Sequence, residues 1–138
     1  MANQFRAWIP VEPRAMKRPR VFRSGHAISP TRDTVDEIAL HLGLSGLRAY
    51  VETVGKAPIS VLARFFLHKP PTTKFKYPTS HRHGDLDNHA KTLLDAIDSF
   101  IPDAQVCKLD VTKEWQQDGM GAGIWTEIEI MEGIEHEY

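Results

Sequence analysis

The chain has 138 residues, 41% of them hydrophobic and 25% charged, with a formal net charge of −1. This length supports a single domain over residues 1–138 with a buried core; no apolar run approaches the ~20 residues of a membrane span, and the first residues lack the charged-then-apolar pattern of a signal peptide. Cys107 is the only cysteine, which excludes an intrachain disulfide and points to a reducing, cytoplasmic setting.

The near-zero net charge hides a polarised chain. Residues 1–23 carry Arg6, Arg14, Lys17, Arg18, Arg20 and Arg23 against Glu12 alone, and residues 64–83 carry Arg64, Lys69, Lys74, Lys76 and Arg82 with no acid. From Glu114 onward every aspartate, glutamate, lysine or arginine is acidic. Two basic segments suit a polyanion held along its backbone. A surface whose charges segregate in sequence and mix in space fits equally well.

In chain order, Phe5 to Ile9 alternates as a short strand ended by Pro10 and Pro13. A basic, proline-punctuated loop follows. Val21–Arg23 and Ala27–Ser29 flank Ser24-Gly25-His26 as a small hairpin. Ser29-Pro30 then reads as a helix start, with a helix from about Thr31 to Val51 that Gly43 and Gly46 weaken or interrupt. Ile59 to His68 is apolar on both faces and reads as a central strand. The long basic loop Lys69–Gly84 carries Phe75 and Tyr77 and is suited to closing over a nucleic-acid backbone and stacking bases.

Leu86, Ala90, Leu93, Leu94, Ile97 and Phe100 recur at helical spacing, so residues 86–100 form an amphipathic helix. Asp87, Lys91 and Asp95 stack on its polar face, four apart. Asp85 stands at its mouth, and Asp103 lies just past its end. Beyond it, Gln105–Trp115 alternates, placing Cys107, Leu109, Val111 and Trp115 on the inner face, with Cys107 as a packing residue. Asp118-Gly119 marks a turn. Ile124–Ile130 alternates again, so the last two strands are expected to pair as an antiparallel hairpin. The elements add up to an α/β fold, a single mixed β-sheet with two main helices packed on it.

The aspartates admit two readings. Three carboxylates beside a lysine suit a divalent ion such as Mg²⁺, with water and phosphate oxygens completing its shell. The same residues also serve as a helix cap at Asp85, ion pairs around Lys91 and a turn at Asp103. His81, His83 and His89 complete no zinc pattern and read as loop histidines in solvent or on phosphate.

Asp85-Leu86-Asp87-Asn88-x-x-Lys91-x-x-x-Asp95-Ala96, followed by Asp103-Ala104-Gln105-Val106, resembles the signature of the RusA family of Holliday-junction resolvases. Lys17-Arg18-Pro19-Arg20, the hairpin around Ser24-Gly25 and Ser29-Pro30-Thr31 resemble the start of phage and prophage members, so the likeness runs from about Ile9 to Trp115. It implies a RusA-like homodimer using Mg²⁺, or Mn²⁺ as a substitute, to make paired nicks in a four-way junction or other branched DNA, with no membrane partner. Asp85, Asp87 and Asp103 would form the metal site, Lys91 would be the catalytic or phosphate-contacting lysine, and Asn88 a supporting group on DNA. The basic residues Lys17, Arg18, Arg20, Arg23, Lys69, Lys74, Lys76 and Arg82 would hold the DNA. One position departs from the pattern: Pro102 stands where the family often has an acid before Asp103.

Overall fold

A computed structural model describes residues 3–14, 20–21, 27–28 and 32–131, with the backbone alone described at 20–21 and 27–28. Strand β1 (Gln4–Ile9) leads to the short strands β2 (Arg20–Val21) and β3 (Ala27–Ile28). These two pair antiparallel, Arg20 opposite Ile28, as the small hairpin expected. Its turn and the Ser29-Pro30 helix start lie outside the described residues.

The long helix expected up to Val51 is two helices, α1 (Arg32–Leu44) and α2 (Leu47–Val54), broken at Gly46, whose φ of 94° belongs to the left-handed region that glycine enters freely. Strand β4 (Ile59–Leu67), helix α3 (Leu86–Ile97) and strands β5 (Val106–Trp115) and β6 (Gly123–Ile130) complete the order. Among the described residues three α-helices, rather than the two main ones expected, therefore accompany the mixed sheet.

That sheet runs β1-β6-β4-β5. β4 is central, as its two-sided apolarity requires, with β6 antiparallel on one side and β5 parallel on the other. The expected β5–β6 hairpin is not formed. β4 takes both strands as partners, so the connection after Trp115 crosses the end of β4, where the Gln116 N–H donates to the Leu67 carbonyl at 2.7 Å. α3 lies in the crossover between the parallel pair, the arrangement that a parallel connection demands.

One face of the sheet supplies the core. Phe5, Ala7 and Ile9 of β1, Ile59, Val61, Ala63 and Phe65 of β4, and Ile124 and Ile128 of β6 cluster with buried residues of all three helices, including Ile38, Leu42, Leu47, Leu93 and Ile97. On the other face Trp8 packs on Phe66, their ring centroids 5.9 Å apart. Gly123 is the residue that permits this: a Cβ there would stand 2.5 Å from the Trp8 ring and 2.7 Å from the Ile9 carbonyl oxygen.

Cys107 is exposed, not packed. The register passes from Ile59 opposite Val106 to Ser60 opposite Lys108, so Cys107 is the extra residue of a β-bulge and leaves the alternation. From Leu109 onward the inner face is Leu109, Val111, Lys113 and Trp115, opposite Val61, Ala63, Phe65 and Leu67. Leu109 nevertheless keeps 43% of its surface exposed, because β5 is the edge of the sheet.

Candidate active site

The site is built on the N-terminal half of α3 and the segment after it. Gly84, at φ 79°, turns the chain into the helix, and Asp85 stands at the N-cap in extended conformation. Its backbone carbonyl accepts from the N–H groups of Asn88 and His89, both at 3.1 Å. Its carboxylate makes no cap hydrogen bond. The capping reading of that side chain therefore does not hold, and its nearest ionic neighbour is the exposed imidazole of His81, Nδ1 to Oδ1 3.8 Å.

Asp87, Lys91, Asp95 and Asp103 line one open cavity of about 520 Å³, together with the apolar side chains Leu86, Ala90, Leu94, Leu109 and Val111. The Lys91 ammonium lies 3.6 Å from the Asp95 carboxylate. The Asp103–Gln105 turn that carries Asp103 is fastened twice. The Asp103 N–H donates to the Asp98 carboxylate at 2.9 Å, and the Gln105 amide donates to the carbonyls of Gly55 and Ala57, both at 3.0 Å. Burial, then the charges of Asp98 and Asp95, hold the Asp103 carboxyl above its ordinary value, and Lys91 pulls it the other way.

The three expected aspartates are thus divided. Asp87 and Asp103 share the cavity, while Asp85 lies outside its lining, toward His81. Among the described residues no three histidine, cysteine or acidic side chains are close enough to hold an ion by themselves. The donor set still fits a hard divalent ion that takes one or two carboxylates and leaves its other positions to water and substrate phosphate. The crowding of like charge around Asp103 is what a cation there would relieve.

His89 is not the solvated loop histidine expected. It is 1% exposed and stacks on Phe65 with ring centroids 5.6 Å apart. Its Nε2 lies 2.7 Å from the His83 carbonyl, and since a carbonyl only accepts, Nε2 carries the proton. Nδ1 is buried without a partner among the described residues. Burial first, and the Lys113 charge, hold the imidazole below its ordinary pKa, while the carbonyls of His83 and Arg14 and the Asp85 charge oppose them. Lys113 donates to the Gly84 carbonyl at 2.8 Å. His89 and Lys113 together fix the backbone just ahead of Asp85, a role that sequence spacing assigned to neither. The signal was there: His89 precedes Leu93 by four residues and Ala96 by seven, and both are fully buried.

Lys69, Lys74, Lys76 and Arg82 are exposed, and Asn88 is half-buried. The loop bearing the lysines is tethered where the Trp115 indole N–H donates to the Phe75 carbonyl at 2.9 Å, while the Phe75 and Tyr77 side chains are 69% and 58% exposed. Lys17, Arg18 and Arg23 lie outside the described residues, and Arg20 is described only as backbone in β2.

No helix among the described residues is long and apolar enough to cross a membrane. No curated protein sequence gives a significant match to the chain. The family model described as Endodeoxyribonuclease RusA matches residues 10–130, which takes in α3, the Asp103 turn and every strand of the sheet except β1. The chain therefore belongs to the RusA endodeoxyribonuclease family, whose activity is that of a Holliday-junction endonuclease.

Proposed function

We propose that this chain is a divalent-metal-dependent endodeoxyribonuclease that resolves four-way DNA junctions by paired, symmetric nicks, acting as a homodimer in the cytoplasm during DNA recombination or repair. The observation that carries this reading is the single cavity holding Asp87, Lys91, Asp95 and Asp103 on the helix and turn that bear the family's motif. Asp87 and Asp103 are the residues to hold Mg²⁺, or Mn²⁺ in its place, with Asp85 at the helix mouth as a further donor to the ion or to its bound waters. The ion, when bound, supplies a water of lowered pKa and a counter-charge for the leaving oxygen.

The chain's own groups do the remaining work. Lys91, held by Asp95, offsets charge that develops on the scissile phosphate. His89 and Lys113 keep Asp85 in place through the His83 and Gly84 carbonyls. Water adds to phosphorus as the bond to the 3′ oxygen breaks, leaving a 5′-phosphate and a 3′-hydroxyl. The exposed basic loop with Lys69, Lys74, Lys76 and Arg82, the N-terminal Lys17, Arg18, Arg20 and Arg23, and Asn88 on α3 contact the DNA backbone. Two such sites in a twofold dimer match a substrate of approximate twofold symmetry. The open β5 edge, with exposed Leu109, supports self-association.

A nicking assay on a synthetic four-way junction, beside a fork and a linear duplex, tests the proposal. Paired nicks on the junction that need Mg²⁺ or Mn²⁺, stop with chelator and disappear in Asp87→Asn support it. Equal cutting of every branched substrate makes the chain a broader branched-DNA nuclease. Junction binding without cleavage under any metal makes it a binding protein.

A further inference from the structure

A second cavity, of about 630 Å³, opens on the His81 side of Asp85 and shares no lining residue with the aspartate cavity. Arg14 reaches it from the segment after β1, His68 from the end of β4, and His81, Arg82 and His83 from the turn ahead of α3; Glu12 is the one acid among its described lining residues. Arg14 and Arg82 each bring a guanidinium to it, which makes the cavity cationic. The turn that forms one wall is held in shape. Ser80 Oγ accepts from the Arg82 N–H at 3.2 Å, the His83 carbonyl is held by His89, and the His83 ring meets the Trp115 ring edge-on at 4.8 Å. A fixed wall bearing a guanidinium is pre-organised for an anion and loses little freedom on binding one.

His81 lines this cavity and its Nδ1 lies 3.8 Å from the carboxylate of Asp85, the N-cap of the helix whose Asp87 lines the aspartate cavity, so the two cavities flank the mouth of α3. A DNA strand with its scissile phosphate over the aspartates therefore has a cationic recess next along its path. We infer that this recess is a second phosphate subsite, in which Arg14 and Arg82 grip a phosphodiester neighbouring the one that is cut. The inference rests on the nuclease reading above and adds to it a register: the recess sets which phosphate of the strand stands over Asp87 and Asp103.

The test uses the full chain with Asp87→Asn, which is expected to bind junction without cutting it, and the same chain with Arg14→Ala and Arg82→Ala added. Both arginines are exposed, and a thermal melt checks that the added changes leave the fold unaltered. The wild-type chain first locates the scissile phosphate. Neutral methylphosphonates are then placed singly at the neighbouring phosphates of a synthetic four-way junction. One position, and one side only, is expected to weaken binding by about tenfold in the parent and by less than twofold once the arginines are gone. The salt slope of log affinity is expected to fall by about one for each contact removed. Glu12→Gln, which removes the acid from the same recess, is expected to tighten binding. Equal losses at every position in both proteins, or an otherwise wild-type chain carrying Arg14→Ala and Arg82→Ala that still nicks in unchanged register, overturn the subsite and leave the nuclease reading standing. Failure of the parent to bind any branched DNA overturns both.

Discussion

Replacing His89 by phenylalanine separates the two things its imidazole does. The ring stack on Phe65 is retained, while the Nε2–H that meets the His83 carbonyl at 2.7 Å is lost. Leaving a partly buried carbonyl without its donor costs about 1–3 kcal/mol, a large share of the ~5–15 kcal/mol available to a domain. The pH dependence carries the sharper signature. Because burial holds the folded pKa below the ordinary 6.5, the unfolded chain takes up a proton first as the solution is acidified. The stability that neutral His89 provides is therefore complete above about pH 6.5 and is lost as pH falls toward the folded pKa, at up to ~1.4 kcal/mol per pH unit. Phenylalanine does not titrate, and the carboxylates common to both proteins cancel in the difference. Urea denaturation followed by tryptophan fluorescence should show the wild type ahead at pH 7.5 and the gap closing as the pH is lowered through 6.5. His89→Gln, which restores an N–H near the position of Nε2, should recover part of the loss at pH 7.5 without restoring the slope. A gap that stays constant or widens on acidification refutes the assignment of a buried, neutral His89.

Two glycines should respond to alanine with opposite signs. Gly123→Ala drives a Cβ to 2.7 Å from a backbone oxygen that cannot step aside and should cost about 3 kcal/mol or more, whereas Gly43→Ala meets only the Phe100 ring at 3.6 Å and should add roughly 0.5–1 kcal/mol, both read by urea melts. Asp103→Asn should raise Tm by about 1–2 °C at pH 7 and low salt, with nicking abolished. The raised carboxyl favours the protonated fold, so ionised Asp103 is a cost above its folded pKa; the gain should vanish toward pH 3–4, and a Tm that falls at pH 7 would contradict the like-charge crowding. Cys107 should take up one equivalent of maleimide without denaturant, and protection of that thiol in the native monomer would contradict the bulge that turns it outward.

Patterns that depend on one chain segment were legible in the sequence. The alternation of Ile124 to Ile130, the two-sided apolarity of Ile59–Leu67 and the helical spacing from Leu86 to Ile97 each report which side of an element is buried, and the structure agrees. Alternation says nothing about the partner, however, and two consecutive strands with a turn signal between them read as a hairpin although β4 takes both as neighbours. Cys107 was misassigned because a bulge shifts parity by one residue without marking the sequence. Asp87, Lys91 and Asp95 were placed together by helix geometry alone. The fastening of the Asp103 turn by Gln105 and the support of Lys113 depend on tertiary contacts between segments far apart in the chain, and the Asp98 bond to Asp103 crosses the end of the helix, where the helical period stops.

The place of β6 has a consequence for how the protein is made. Among the described residues every other strand and helix precedes Gly123–Ile130 in the chain, yet β6 sits between β1 and β4. While the chain is being synthesised, β1 has no neighbour in the sheet and β4 has one unpaired edge until the last strand leaves the ribosome. Closure of the sheet therefore waits for β6 to be made, and it proceeds through pairings such as Gln4 with Glu129 between strands far apart in sequence. Pairings of that separation close slowly and leave a sticky edge open in the meantime. Truncations that reach into β6 should yield aggregation during expression instead of a soluble protein with a weakened site.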